Sequence, residues 1–421
     1  MLAIFEAGTP ACAERMRALH SRGESDLERV EPVVRRILTD VRERGDASVR
    51  ALTEEFDKRV IEHVRIPDDL WRSEAKKAPP AVVAALTAAA DRIRAYHKHQ
   101  VLADFAYEDA GVRLGQRVRP AASAGVYAPG GKARYPSSVL MTAVPASVAG
   151  VPRIVLASPR PTPEILAAAA IAGVTEVIDA GGAQAIAALA YGTESVARVD
   201  KIVGPGNIYV ACAKRLVFGT VDIDQIAGPS EILVIADDGA DPRVVAADLL
   251  SQAEHDEDAY ALLITDSKRI LDATLAEVRT QLSVLPRKAI AEASLTRNGS
   301  AFLVRNLDEA AALASDLAAE HLALLVREPR ALFAKISHAG AVFLGDYTPE
   351  AAGDYVAGPS HVLPTGGAAR HSSPLSVYDF LVRTSVIEYS QEAIRAQADL
   401  IESLAELEGL AAHANAVRVR R

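Results

Sequence analysis

From Ala124 onward the chain alternates short β-rich runs with Ala-rich helical stretches, and this limits the possible folds more than any other feature. The runs GVYAP, RIVLAS, EVIDAGG and KIVGPG are separated by helical patterns over 137–150, 163–173 and 183–191. That order is βαβαβ, which requires a parallel sheet covered by helices. The texture resumes with EILVIAD, YALLITD, AFLVRN, HLALLV and AVFLG, interleaved with helical stretches from Pro242 to Glu254, from Lys268, and from Leu307 to Ala319. Upstream, Val30, Val33, Val34, Ile37, Leu38 and Val41 follow helical spacing, with Ser25 as the expected cap and Gly45 as the stop. A further helix is expected over 81–98, its polar end with His97 and His99 reading as solvated. Beyond Pro374 the alternation stops, and a helical stretch from Gln391 to Leu410 closes the chain.

The expected fold class is therefore α/β, with two Rossmann-like, incomplete parallel-sheet domains, a helical N-terminal segment and a small helical C-terminal domain. The expected divisions are 1–24 for the N-terminal segment, 25–122 with 231–373 for a discontinuous first α/β domain, 123–230 for a second, and 374–421 for the tail. At 421 residues the chain is too long for a single core.

Lys and Arg number 46 against 55 Asp and Glu, and the net charge of -9 offers no basic field to nucleic acid or to an anionic membrane surface. The longest charge-free stretch, between Arg134 and Arg153, contains Pro136, Pro145, Gly150 and Pro152, which argues against a membrane span. Glu6 follows only a few apolar residues at the N-terminus, so no secretory leader is read there and the cytoplasm is the expected compartment. Cys12 and Cys212 are the only cysteines. They exclude a disulfide framework and a thiolate zinc cluster, so any metal must take nitrogen and oxygen ligands.

Four places carry candidate chemistry. Gln252 and His255 stand three apart at a helix end, a spacing that suits either a shared ligand or a polar terminus complementing the helix dipole. Glu320 and His321 meet where a helix gives way to a strand, so an acid and a base stand together, although capping or a solvated polar surface is the commoner reason for such a pair. Asp354 and His361 lie in a Gly/Pro-rich loop, and Glu408 and His413 lie in the tail. Three glycine-rich segments, YAPGGKARYPSS, DAGGAQAIAALAYG and VGPGNIYVACAK, match neither the usual dinucleotide fingerprint nor a P-loop. Each nevertheless follows a strand and precedes a helix, where free N–H groups bind anions or simply close a tight turn.

Taken together and in this order, GVYAPGGKARYPSSVLMTAVPA, AGGAQAIAALAYGT, KIVGPGNIYVACAK, IAGPSEILVIAD, DLLSQAEHD, AAEHLALL, AGDYVAGPSHVLPTGG and SSPLSVYDFL closely resemble the histidinol dehydrogenase family, over roughly Ser25 to His413. The resemblance implies NAD-dependent oxidation of L-histidinol to L-histidine with one Zn2+ per subunit. It implies zinc ligands Gln252, His255, Asp354 and His413, and a catalytic pair Glu320 and His321. Ser230, His361 and Glu408 would join these around the substrate, and Tyr127, Gln184 and Asn207 would meet NAD in the 123–230 domain. It also fits a homodimer whose tail reaches a second chain. The alternatives are a relative acting on another polyol or amino alcohol, disfavoured by Glu408 and His413, and a zinc-binding protein without turnover, disfavoured by Glu320 and His321. Departures from the family pattern are Ala319, where Pro is frequent, and Asp224-Gln225 ahead of IAGPSE. Neither is expected to touch a functional position.

Overall fold

Among the described residues, strands assemble into two six-stranded sheets and one three-stranded sheet. The computed structural model describes residues 1–22, 25–130 and 135–421, with the side chains of Ser25 and Asp26 excluded. The first sheet runs, in spatial order, Arg65–Ile66, Glu176–Ile178, Arg153–Ala157, Ser123–Tyr127, Lys201–Val203, Asp222–Ile223. Only Arg65–Ile66 is antiparallel to its neighbour. The second runs Ala3–Glu6, Ser300–Leu303, Tyr260–Thr265, Glu231–Ala236, His321–Leu325, Ala341–Leu344, all parallel. The central strands are buried on both faces, as continuous runs such as EILVIA require when helices cover a parallel sheet on both sides. The Pro136–Ala149 and Pro163–Ala172 helices end at Gly150 and Gly173, whose φ of 88° and 87° is the left-handed cap that glycine adopts without strain.

The expected domain division is corrected. The Ser25–Asp57 helix packs on the Gly182–Tyr191 and Ile208–Val217 helices, and its Val30, Val34, Ile37 and Val41 share a core with Ile186 and Leu189. The Asp68–Ala75 and Pro80–His97 helices pack on the other face of that sheet, where Trp71 and Ile93 meet Leu140 and Leu156. Residues 25–97 thus cover the 123–230 sheet and not the 231–373 one. Periodicity identifies an apolar stripe without saying which sheet it covers. Residues 1–22 are likewise no separate segment, since Ala3–Glu6 is an edge strand of the second sheet and Cys12, Met16 and Leu19 of the Pro10–His20 helix enter its core.

The tail is also more than helical. Leu381–Tyr389 pairs antiparallel with Val112–Pro120, which pairs with Phe105–Asp109. The closing helix is two, Gln391–Leu407 and Ala411–Arg418, broken where Gly409 adopts φ +74°. Gly45 does interrupt its helix, with φ 52°, yet helical structure resumes directly to Asp57. Whether Ser25 caps that helix lies outside the described residues. His97 is buried, its Nδ1 2.9 Å from the Ile93 carbonyl oxygen, in contrast to the solvated end expected. No helix among the described residues is long and apolar enough to cross a membrane.

Candidate active site

The Leu307–Leu317 helix ends on Ala318, held at φ 46°, and this left-handed turn swings the chain into the His321–Leu325 strand. Glu320 and His321 therefore stand at the amino edge of the second sheet, beside the start of the Glu231–Ala236 strand. The Glu231 backbone meets both. Its N–H donates to Glu320 Oε2 at 2.8 Å, and its carbonyl oxygen lies 2.8 Å from His321 Nδ1. A carbonyl only accepts, so Nδ1 carries the proton and Nε2 keeps the lone pair. Burial lowers the His321 pKa, opposed by the charge of Asp354, so the ring is held neutral. Burial first, then the Glu231 charge, raises the Glu320 carboxyl well above the usual range.

The Glu231 carboxylate is itself buried against Arg22, whose Nε and Nη2 donate to its two oxygens at 2.6 and 2.9 Å. Neither residue was singled out from sequence. The only signal was an acidic residue opening an otherwise apolar run.

The Pro242–Ala253 helix begins at an Asp241 cap and brings Gln252 into its last turn, with His255 just beyond. Gln252 is fully buried, and neither its amide oxygen nor its nitrogen has a hydrogen-bond partner. The short Glu350–Tyr355 helix presents Glu350 and Asp354 four residues apart, hence on one face. Ligand atoms of His255, Glu350 and Asp354 all lie within 4.8 Å of one another. Glu350 Oε2 accepts from Ser251 Oγ at 3.2 Å, while its buried Oε1 is unpartnered and 3.7 Å from His321 Nδ1. Burial, then the Asp354 charge, raises the Glu350 pKa well above its usual value. One turn before Gln252, burial pushes Asp248 up to about 6 and leaves its Oδ2 unpartnered. Glu350 and Asp248 were missed from sequence, although an E-x-x-x-D spacing on one helix could have pointed to the first.

Among the described residues no Lys or Arg pairs with Asp248, Glu320, Glu350 or Asp354. Buried carboxyl groups without cations, an amide with two unmet groups and a neighbouring imidazole form an oxygen- and nitrogen-rich set that fits a divalent ion. His361 Nδ1 lies 3.0 Å from the Asp354 carbonyl oxygen, and burial lowers its pKa. Its loop is anchored by a device written in the sequence. Pro145 lacks the N–H that would bond to the Met141 carbonyl four residues back, and Ser360 Oγ donates to that carbonyl at 3.0 Å. Ser230 directly precedes the Glu231 strand, and its carbonyl accepts from the Tyr260 N–H. Glu408 and His413 are exposed on the tail helices, and His413 does not join the converging group of His255, Glu350 and Asp354.

The other expected residues line the first sheet's carboxyl edge. From Ser123–Tyr127 the strands progress outward on one side and return on the other, so the strand order reverses past Tyr127 and Val203, the position at which ligands bind in such sheets. Tyr127 is buried, its hydroxyl oxygen accepting from the Gly182 N–H at 3.0 Å, and burial pushes its pKa to about 12. Gln184 is buried on the helix that follows, and Asn207 caps the next, its Oδ1 accepting from the Tyr209 and Val210 N–H groups. Gly204 takes φ +118°, and a Cβ there would stand 2.3 Å from the Tyr127 carbonyl oxygen. Buried Lys214 pairs with Asp224, and the two clasp Gly204, Lys214 Nζ on its carbonyl and Asp224 Oδ2 on its N–H. Asp224, a family departure expected to be inert, thus braces this edge. Gly131, Lys132, Ala133 and Arg134 of the first glycine-rich segment lie outside the described residues.

A family model described as histidinol dehydrogenase matches residues 20–421. The chain is 53% identical over 410 residues to a histidinol dehydrogenase of Aquifex aeolicus, covering 97% of this chain and 96% of that one. With a Bacillus subtilis histidinol dehydrogenase it is 48% identical over 414 residues, covering 97% of each. A crystal structure of histidinol dehydrogenase from Elizabethkingia anophelis superposes with a TM-score of 0.93 at 36% identity, covering 100% of this chain and 98% of that one.

Proposed function

The chain belongs to the histidinol dehydrogenase family, and on that premise we propose that it oxidises L-histidinol through L-histidinaldehyde to L-histidine, in two hydride transfers to NAD, with one zinc per subunit. The observation that carries this reading is His321, its Nδ1 proton committed to the Glu231 carbonyl, standing beside His255, Glu350 and Asp354 and the unmet amide of Gln252.

Gln252, His255 and Asp354, with His413 from a second copy, would hold the zinc, and Tyr127, Gln184 and Asn207 would line the NAD site. When bound, zinc supplies a Lewis-acidic anchor for the substrate's amine and imidazole, and NAD the hydride acceptor. His321 Nε2 takes the hydroxyl proton as hydride departs, and the Nδ1 hydrogen bond keeps the ring in the tautomer that can do so. Between the oxidations water must add to the aldehyde. Glu320 takes one proton from that water as its oxygen bonds to the aldehyde carbon, the imidazolium of His321 returns a proton to the carbonyl oxygen, and the environment that raises the Glu320 pKa makes its ionised form the stronger base. Ser230 and His361 flank the substrate, and Glu408 pairs with its ammonium group.

The tail supports a shared site. Most side chains of the Leu381–Tyr389 strand are exposed, and so are Leu400, Leu404 and Leu407 at 65%, 55% and 84%. Apolar surface of this kind marks an interface, and a homodimer in which each tail brings Glu408 and His413 to its neighbour would cover it. Light scattering should report a dimer, and an active monomer would contradict this. A reducing cytoplasm suits the buried, unbridged Cys12 and Cys212. The decisive assay follows NADH absorbance with protein, L-histidinol, NAD and zinc. Two NADH per histidinol are expected, and zinc-loaded protein forming none would overturn the proposal.

A further inference from the structure

Both catalytic side chains rest on the backbone of Glu231, and the Glu231 side chain decides where that backbone lies. Its carboxylate receives four donors: Arg22 Nε and the Gly366 N–H on Oε1, and Arg22 Nη2 and the Glu320 N–H on Oε2. Arg22 spends its remaining reach on two helix ends. Nη1 donates to the Leu19 carbonyl at 2.6 Å, and Nη2 donates to the Leu317 carbonyl at 2.8 Å. Leu317 immediately precedes the left-handed turn that delivers Glu320 and His321, and Gly366 lies five residues beyond His361. One guanidinium–carboxylate pair thus joins the amino-terminal helix, the Glu231 strand, the turn into the catalytic pair and the His361 loop.

We propose that the Arg22–Glu231 ion pair is the positioning device of the catalytic site, setting the strand end at which the Glu231 N–H orients Glu320 and its carbonyl orients His321. The proposal rests on His321 and Glu320 having the roles given above. Stability alone is a poor reason for such a pair, because buried ion pairs are often replaced by apolar residues with no loss. Geometry is a better one, since a displacement of about 1 Å at a reacting group can lower a rate by about a hundredfold. The planar fork of arginine also does what a lysine ammonium cannot, meeting two carboxylate oxygens and two carbonyls at once.

The test uses zinc-loaded full-length protein carrying Arg22→Lys, Arg22→Gln, Glu231→Gln, or Arg22→Gln with Glu231→Gln. Each single neutral variant buries a lone charge and is expected to melt earlier. The double variant buries none, and a cavity of about 370 Å³ against Arg22 lets water enter the vacated space, so its melting temperature should return toward that of the parent. Its kcat should nonetheless stay about tenfold to a hundredfold low with KM for histidinol unchanged, the pattern of lost transition-state alignment. Arg22→Lys should fall between the parent and the double variant. A second readout needs no turnover: ¹⁵N spectra of the imidazole assigned to His321 by its loss in His321→Asn. The parent should show a single Nδ1–H tautomer, and the double variant a mixture. A double variant with parental kcat and a single tautomer overturns the proposal, and so does a kcat loss that only follows the folded fraction. Should the parent fail to oxidise histidinol while the tautomer still responds to the variants, the positioning role stands and the assigned reaction falls.

Discussion

The two six-stranded sheets share one strand order yet gather their candidate residues at opposite ends. In each, a central strand, Ser123–Tyr127 or Glu231–Ala236, has the next two strands of the chain on one side and the two after them on the other, and an earlier strand closes the edge, antiparallel in the first sheet and parallel in the second. At the first sheet's carboxyl edge stand Tyr127, Gly204 and Asn207, and the buried charges there, Lys214 with Asp224, are matched. At the second sheet's amino edge, Glu320 and His321 are buried against the Glu231 backbone, and buried Glu350, Asp248 and Gln252 keep polar atoms without hydrogen-bond partners. Equal topology therefore does not place the chemistry. Matched charges and tight glycines brace one edge, whereas carboxyl groups without a cation partner collect at the other.

That contrast can be broken or sharpened by experiment. Chelation should abolish turnover and zinc restore it, while NAD binding to the metal-free protein, followed by fluorescence, persists. Full turnover by protein shown metal-free by elemental analysis would end the division between the sheets. Next in size, His321→Asn should slow both oxidations by about a hundredfold or more, as expected for loss of a positioned base. Glu320→Gln should spare the first oxidation and slow the second by about tenfold to a hundredfold, because the amide keeps the shape but accepts no proton. Equal slowing of both half-reactions, measured separately, would show that the carboxylate merely serves the local geometry.

On the other sheet, Gly204→Ala should raise KM for NAD by about tenfold, equivalent to about 1.4 kcal/mol and within the 1–3 kcal/mol typical of a strained non-glycine position. Its kcat at saturating NAD should hold, and a fall in kcat without a change in KM would contradict the assignment. The smallest effect concerns His97, a buried histidine on the helix that packs against the first sheet, outside the candidate site. Burial lowers its folded pKa, so its contribution to stability is present above the usual histidine value near 6.5 and is lost as pH falls through the folded pKa. His97→Gln should leave kcat unchanged and remove up to about 1.4 kcal/mol per pH unit from the acid slope of denaturant-measured stability. An unchanged slope would mean that folding leaves the His97 pKa unshifted.

The sequence by itself determined the central strands of both sheets and the helices between them, but not the edge strands Ala3–Glu6, Arg65–Ile66 and Asp222–Ile223, because runs such as EILVIA and stops such as Gly150 and Gly173 act locally. It also made Gln252 with His255, Glu320 with His321, and Asp354 with His361 visible as candidates, since each pair is close along the chain. Tertiary structure alone decided which sheet residues 25–97 cover, because an apolar stripe carries no address. It alone brought Arg22 to Glu231 across 209 residues, and Glu350 to His255 and Asp354. Within one chain it also left Glu408 and His413 exposed. The physical reason is range: periodicity and capping act over a few residues, whereas burial, unmatched charge and the tautomer of His321 depend on neighbours that only the folded chain assembles.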